Sequence, residues 1–390
     1  MLKSTQPEKV GFSEERLQRI STVMQGYVDR GQTGAILTLV ERKGEIVHFS
    51  KSGYQDIETQ KPVEFDSLLR IYSMTKPIVS LGLMMLYEEA KFHLHDPVHM
   101  YLPEFKHIKV WGPGGKLVNP DRFLTIQHLL THTAGLTYGE SSNADHDKLF
   151  EEAKIYQPGI DLQEMVKRIA SVPLAFHPGE RWFYSVATDV AGRLIEVLSG
   201  ETLESYLKQR IFQPLKMEDT SFSVPDEKLD RFMTCYTDDL DLFDGVSDSV
   251  FRNVTCYKGG GGLVSTLKDY LQFARLIRGK GTLGSTTLVS RKTIDLMTQN
   301  HIVPQLMPLE AWKPFPGFGF GLGFSVTMDV AKTGLPGSIG NIGWVGMANT
   351  IFWIDPREEL IAIMATQWVS ENRFRFEDDF RTLVYQALLD

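Results

Sequence analysis

Cysteine is scarce in this chain of 390 residues: Cys235 and Cys256 are the two present. That is too few for a disulfide framework, and the pair lacks the spacing of a metal site, so two free thiols in a reducing compartment are expected. An excess of basic charge is also missing. Lys and Arg number 41 against 49 Asp and Glu, for a net charge of -8, and the basic residues are dispersed. No nucleic-acid partner is expected of such a chain. No stretch approaches the roughly 18 apolar residues of a membrane span. The first nine residues, MLKSTQPEK, contain no apolar core of a secretory signal. A cytoplasmic enzyme with no membrane span is therefore the default expectation. Its oligomeric state is not legible.

Several chemical signatures are missing too. No G-x-S-x-G elbow occurs, which argues against an α/β-hydrolase, and no S-D-N string occurs. The run Gly259-Gly260-Gly261-Gly262 is not followed by Lys-Ser or Lys-Thr, so it is not a phosphate loop. His93, His95, Asp96 and His99 lie close together but lack the spacing of a metallo-hydrolase, and a polar turn is expected there. His128 and His132 are expected to be structural.

What is present is an ordinary globular pattern, with 42% hydrophobic and 23% charged residues, which excludes a mostly disordered chain. Ser13 can cap a helix carrying Leu17, Ile20, Met24 and Tyr27 at helical spacing. Residues 34–40 and 46–49 flank Lys43-Gly44 as a hairpin. Helices are expected at 125–130, 162–169, 189–198 and, after a Ser265-Thr266 cap, 267–277. Strands return across 317–330, 349–354 and 360–365, and an amphipathic helix closes the chain. The expected fold class is α+β. One antiparallel sheet built from both chain ends (1–95 and 255–390) is flanked by helices, beside a mostly helical domain over 96–254.

The chemistry concentrates at Ser73-Met74-Thr75-Lys76. A serine hydroxyl is a weak nucleophile and needs a neighbour to accept its proton. Residues three apart on a helix share a face. If Ser73 opens a helix, Lys76 reaches its hydroxyl, and burial lowers the lysine pKa toward a neutral amine. Ile78 through Leu86 are apolar on nearly every side, so this helix belongs in the centre of the protein. A second candidate, Tyr184, ends a loop that contains His177-Pro178-Gly179. Nearby cations would lower its pKa and make a phenolate base.

Together these residues resemble the serine β-lactamase and penicillin-binding-protein superfamily. The closer likeness is to class C β-lactamases and the β-lactamase-like (family VIII) carboxylesterases. Ser73-Met74-Thr75-Lys76 matches the S-x-x-K element, and the stretch from Leu124 to Leu136, LTIQHLLTHTAGL, is similar to a helix-to-loop signature. Phe176-His177-Pro178-Gly179 leading to Tyr184, and Ile211-Phe212-Gln213-Pro214-Leu215, are also similar. The resemblance implies the β-lactamase/transpeptidase-like fold, catalysis by Ser73, Lys76 and Tyr184, and no cofactor or metal. Where class C enzymes carry Y-x-N, this chain has Val186, which cannot hydrogen-bond a β-lactam side-chain amide. The string Lys332-Thr333-Gly334 imitates the family's K-T-G element, but counting back from Ile354-Asp355-Pro356 selects Trp344-Val345-Gly346 instead. The register implies an oxyanion hole made by the backbone N–H groups of Ser73 and Met347. Trp344 and Gly346 would bind substrate, with Trp344 walling the acyl pocket, and Tyr138 and Trp312 are further candidates for its walls.

The expected activity is hydrolysis of small-molecule carboxylic esters through an acyl-enzyme on Ser73, with Lys76 and Tyr184 sharing the general-base role. The alternatives are a weak β-lactamase or D-Ala-D-Ala peptidase, an acyltransferase using the same acyl-enzyme, and a non-catalytic binding protein. The natural substrate and its acyl length are not legible.

Overall fold

A computed structural model describes residues 4–141, 143–310, 314–370 and 375–390. Its centre is an eight-stranded sheet. The strands are β1 (Ala35–Arg42), β2 (Glu45–Asp56), β3 (Lys61–Pro62), β4 (Phe318–Phe320), β5 (Ser325–Thr327), β6 (Ile342–Gly346), β7 (Thr350–Asp355) and β8 (Leu360–Ala365). They run in the order β4-β5-β6-β7-β8-β1-β2-β3, and each neighbouring pair is antiparallel. The two chain ends meet where β1 pairs with β8, Leu37 opposite Ala365 and Arg42 opposite Leu360. Lys43 and Gly44 both take positive φ, 52° and 87°, the twist that a tight β1–β2 hairpin requires.

Strand alternation explains why both faces of this sheet are buried. Leu37, Leu39, Phe352, Ile354, Ile361 and Ile363 point into one core. Their neighbours Ile36, Val40, Ile351, Trp353, Leu360 and Ala362 point into another. The second core is closed by α1 (Glu14–Asp29), through Leu17, Ile20 and Met24, and by the C-terminal helix (Phe376–Tyr385), through Phe376, Phe380 and Val384. Ser13 caps α1 by accepting from the Arg16 amide. Each fully buried side chain of this size contributes about 1.5–3 kcal/mol over leaving it in water.

The first core belongs to α2 (Thr75–Glu88), where Ile78, Val79, Leu81, Leu83 and Met84 are all without solvent contact. Around it stand α3 (Ile126–Leu130), α4 (Leu162–Ser171), α5 (Ala187–Ser199) and α6 (Leu267–Arg278). Thr125, Asp161 and Thr266 supply their side-chain caps for α3, α4 and α6. His128 completes a capping box with Thr125.

The extended stretch expected over 317–330 is divided into β4 and β5, followed by a short helix at Val330–Thr333. The break is steric. Gly323 has a φ of 91°, and a Cβ there would lie 2.3 Å from the Ser80 hydroxyl of α2. Asp96 accepts from the His93 amide and the Tyr101 hydroxyl, both at 2.7 Å, which ties the histidine-rich stretch into a turn. Cys235 and Cys256 are free thiols. Among the described residues no helix is long and apolar enough to cross a membrane.

Candidate active site

Ser73 does not open α2. It sits on a 3-10 turn, Tyr72–Met74, that immediately precedes the helix. Tyr72 holds a φ of 40°, a strained value for a residue with a side chain. The turn is clamped from several directions. The Ile71 amide donates to Leu263 at 3.2 Å, and the Tyr270 hydroxyl donates to the Met74 carbonyl at 2.9 Å. The Thr75 hydroxyl accepts from the Leu263 amide at 3.1 Å. From the sheet side β6 presses closely: a Cβ on Gly346 would lie 2.4 Å from the Ile71 carbonyl oxygen. Glycine is thus required where the end of β6 meets the serine turn.

Lys76, in the first turn of α2, donates to the Ser73 Oγ at 3.1 Å and to the carbonyl of Gly260. Its side chain is almost wholly buried, at 1% exposure. Burial lowers its pKa to about 7 from 10.5, and the charge of Asp189 opposes the shift only partly. The amine is therefore poised to be neutral near physiological pH. Its nitrogen lies 4.5 Å from the centroid of the Tyr184 ring and 5.6 Å from that of Tyr138.

Tyr184 stands three residues before α5. Its phenol hydrogen-bonds the Ser73 hydroxyl and accepts from the Trp344 indole Nε1–H at 3.1 Å. Burial pushes its pKa up, and the bonds from Ser73 and Trp344 offset this only in part. The lowering expected from nearby cations does not occur, because the nearest cation is itself a desolvated amine. Tyr184 is a phenol at rest. His132, packed 4.8 Å from the Tyr184 ring, is driven well below its usual pKa by burial and by Lys76. Its Nδ1 meets the Ser185 hydroxyl at 3.2 Å, a structural bond.

Ser73 opens into a cavity of about 490 Å³, whose lining includes Tyr138, Tyr156, Tyr184, Phe251, Gly346 and Met347. The Met347 amide lies in the turn after β6 and is committed to no backbone carbonyl among the described residues. Trp344 does not wall this cavity. Its indole is buried at 4% exposure, 5.3 Å from the Tyr184 ring and 5.1 Å from that of Phe320, so it braces Tyr184 from behind. Trp312 lies outside the described residues. Lys332 is exposed on its short helix, pairs with Asp329 at 3.4 Å, and takes no part in the cavity. Val186 is fully buried in the core and presents nothing to the cavity.

Two features escaped the sequence. Asp189, in the first turn of α5, is buried at 2% exposure and accepts from the Gly260 amide at 2.9 Å. The Gly260 carbonyl in turn accepts from Lys76, so one residue links the carboxyl to the amine. Burial raises the Asp189 pKa, and the Gly260 amide and Lys76 hold it back. The glycine run is the other. A Cβ on Gly259 would lie 2.5 Å from the Thr188 carbonyl, and one on Gly260 would lie 2.6 Å from Asp189 Oδ2. The one local signal is an acidic residue five positions after the tyrosine, in the first turn of α5.

A strained serine turn, a buried lysine three residues on and a tyrosine between them, set beside an antiparallel sheet from both chain ends, define a β-lactamase-type protein. The chain belongs to the Beta-lactamase family, whose profile matches residues 20–387. Protein Rv1367c of Mycobacterium tuberculosis is 33% identical over 354 residues, 87% of each chain. Esterase EstB of Burkholderia gladioli is 30% identical over 364 residues, 88% of each. The solved structure of EstCE1, a hydrolase with promiscuous acyltransferase activity, superposes with a TM-score of 0.82 at 27% identity, covering 95% of this chain and 99% of that one.

Proposed function

We propose that this hydrolase of the β-lactamase family is a serine carboxylesterase. The observation that carries the reading is the buried Lys76 amine, 3.1 Å from the Ser73 hydroxyl and held near pKa 7. Neutral Lys76 takes the Ser73 proton as Oγ attacks the ester carbonyl. The tetrahedral oxyanion is received by the amides of Ser73 and Met347. Tyr184, a phenol bonded to Ser73 and oriented by Trp344, passes a proton to the departing alkoxide. The acyl-enzyme is then released by water, with Lys76 and Tyr184 acting as one coupled proton store.

Esters are favoured over β-lactams because Val186 is buried and offers no amide to the cavity. The similarity to Esterase EstB supports the same choice. EstCE1 is described as also transferring acyl groups, which supports alcohols as alternative acceptors here. Hydrolysis of p-nitrophenyl butyrate by wild type and Ser73→Ala tests the reading, with nitrocefin and added alcohols run in parallel. The ester should be cleaved by wild type only and faster than nitrocefin. Wild-type rates in Ser73→Ala would remove the proposed nucleophile.

A further inference from the structure

The cavity in front of Ser73 is aromatic and apolar over much of its wall, through Tyr72, Tyr138, Tyr156, Val250 and Phe251. One cation also lines it. Lys258 immediately precedes the glycine run, and its carbonyl accepts from the Gly261 and Gly262 amides at 3.3 and 2.8 Å. Its backbone is therefore fixed two residues from Gly260, which holds Lys76. Its side chain is half-buried, with the ammonium 5.9 Å from the Tyr156 ring centroid. Among the described residues no carboxylate forms an ion pair with it. Of the acids that share the cavity, Asp189 is buried and bonded to the Gly260 amide and feels the Lys258 charge without forming an ion pair with it, and Glu140 is exposed. The tyrosines of the cavity, Tyr138, Tyr156 and Tyr184, and the nearby Cys256 thiol have pKa values raised by burial and stay neutral.

An unpaired ammonium on a largely apolar wall attracts an anion more strongly than one in open water, because the surrounding dielectric is lower. We propose, resting on the esterase reading, that Lys258 selects substrates carrying a carboxylate away from the scissile carbonyl, so that the preferred substrates are anionic esters. Lysine suits this role as a compact point charge that accepts a carboxylate from several directions. Lys258 acts on specificity and takes no proton in the reaction.

Two probe pairs in which a carboxylate is masked as its methyl ester, with release of the phenol as the readout, test the proposal. 4-Acetoxybenzoate and its methyl ester place the carboxylate on the leaving group. Monophenyl adipate and phenyl methyl adipate place it on the acyl side. For at least one pair, wild type should show kcat/KM about fivefold higher for the anion, the scale of a partly exposed ion pair, with the ratio falling in high salt. Lys258→Met should lower that ratio about fivefold, and Lys258→Glu should lower it further. Equal rates within both wild-type pairs, or an unchanged ratio in Lys258→Met, would overturn the proposal.

A binding measurement separates this from a failure of the esterase reading. On the Ser73→Ala protein, calorimetry compares 4-hydroxybenzoate with methyl 4-hydroxybenzoate. Tighter binding of the anion that disappears in Ser73→Ala/Lys258→Met supports the lysine's role even if wild type cleaves none of the four esters. No charge preference in binding or in turnover overturns it.

Discussion

Arg70 and Lys76 lie six residues apart, both buried cations flanking the same serine turn, yet their surroundings are opposite. Arg70 has no solvent contact, and its guanidinium is fully used. It pairs with Asp244, donates to the carbonyls of Met233 and Gly245, and lies 3.9 Å from the Phe232 ring centroid. Lys76 meets a hydroxyl and one carbonyl, and is linked to Asp189 through the backbone of Gly260. A buried charge that is saturated with partners braces the fold. A buried amine left short of partners loses its proton easily, which makes it a base. On the proposed mechanism, the two positions separate what holds the turn from what works on it.

The largest expected effect breaks the comparison at its chemical end. Lys76→Met should lower kcat/KM on p-nitrophenyl butyrate by about a thousandfold, the scale of general-base catalysis. Its melting temperature should hold or rise, because a desolvated amine has been replaced by a fitting apolar chain. Retention of more than a tenth of the activity would remove Lys76 from the mechanism. Arg70→Met should do the reverse. Asp244 would be left partly buried without its partner, costing about 3–5 kcal/mol in urea unfolding. Turnover per folded site, counted by phosphonate titration, should fall far less than in Lys76→Met.

The sequence made the serine and lysine legible because their spacing and the apolar helix behind them are local features. Tyr184 was legible by its loop and by resemblance. Arg70 and Asp189 were not, because their roles depend on Asp244, Met233 and Gly260, which are distant in the chain. The sheet was read in outline, since β1, β2, β7 and β8 alternate or turn in recognisable ways. The division of β4 from β5 was not, because it is imposed by the approach of Gly323 to Ser80. Spacing places Trp344 on its strand, but its packing behind Tyr184 depends on residues distant in the chain.

The lysine also leaves a signature in pH. Its pKa is about 7 in the folded protein and returns to the ordinary 10.5 on unfolding. Between those values the unfolded chain binds a proton that the folded chain lacks, so this group makes stability rise with pH across that window. Below about pH 7 its burial penalty is complete. Urea unfolding from pH 6 to 9 should show a rising contribution in wild type that Lys76→Met lacks, and identical slopes would contradict the assignment. The kcat/KM profile should likewise rise through about pH 7 as the amine becomes neutral. Asp189→Asn removes the charge that keeps the amine protonated, so that limb should move to lower pH. A limb that stays in place, with only its height reduced, would make Asp189 a purely structural group.

The smallest effect concerns Trp344. If the indole only fills space, Trp344→Phe costs packing and leaves the chemistry alone. If it orients Tyr184, losing the 3.1 Å Nε1–H bond frees the phenol to rotate away from Ser73. One neutral hydrogen bond is worth about 1 kcal/mol, or about fivefold in rate. The loss should fall on kcat with KM little changed, because the indole does not line the cavity. A change confined to KM would instead return Trp344 to the pocket wall, and pre-steady-state acylation and deacylation rates would show which proton transfer depends on it.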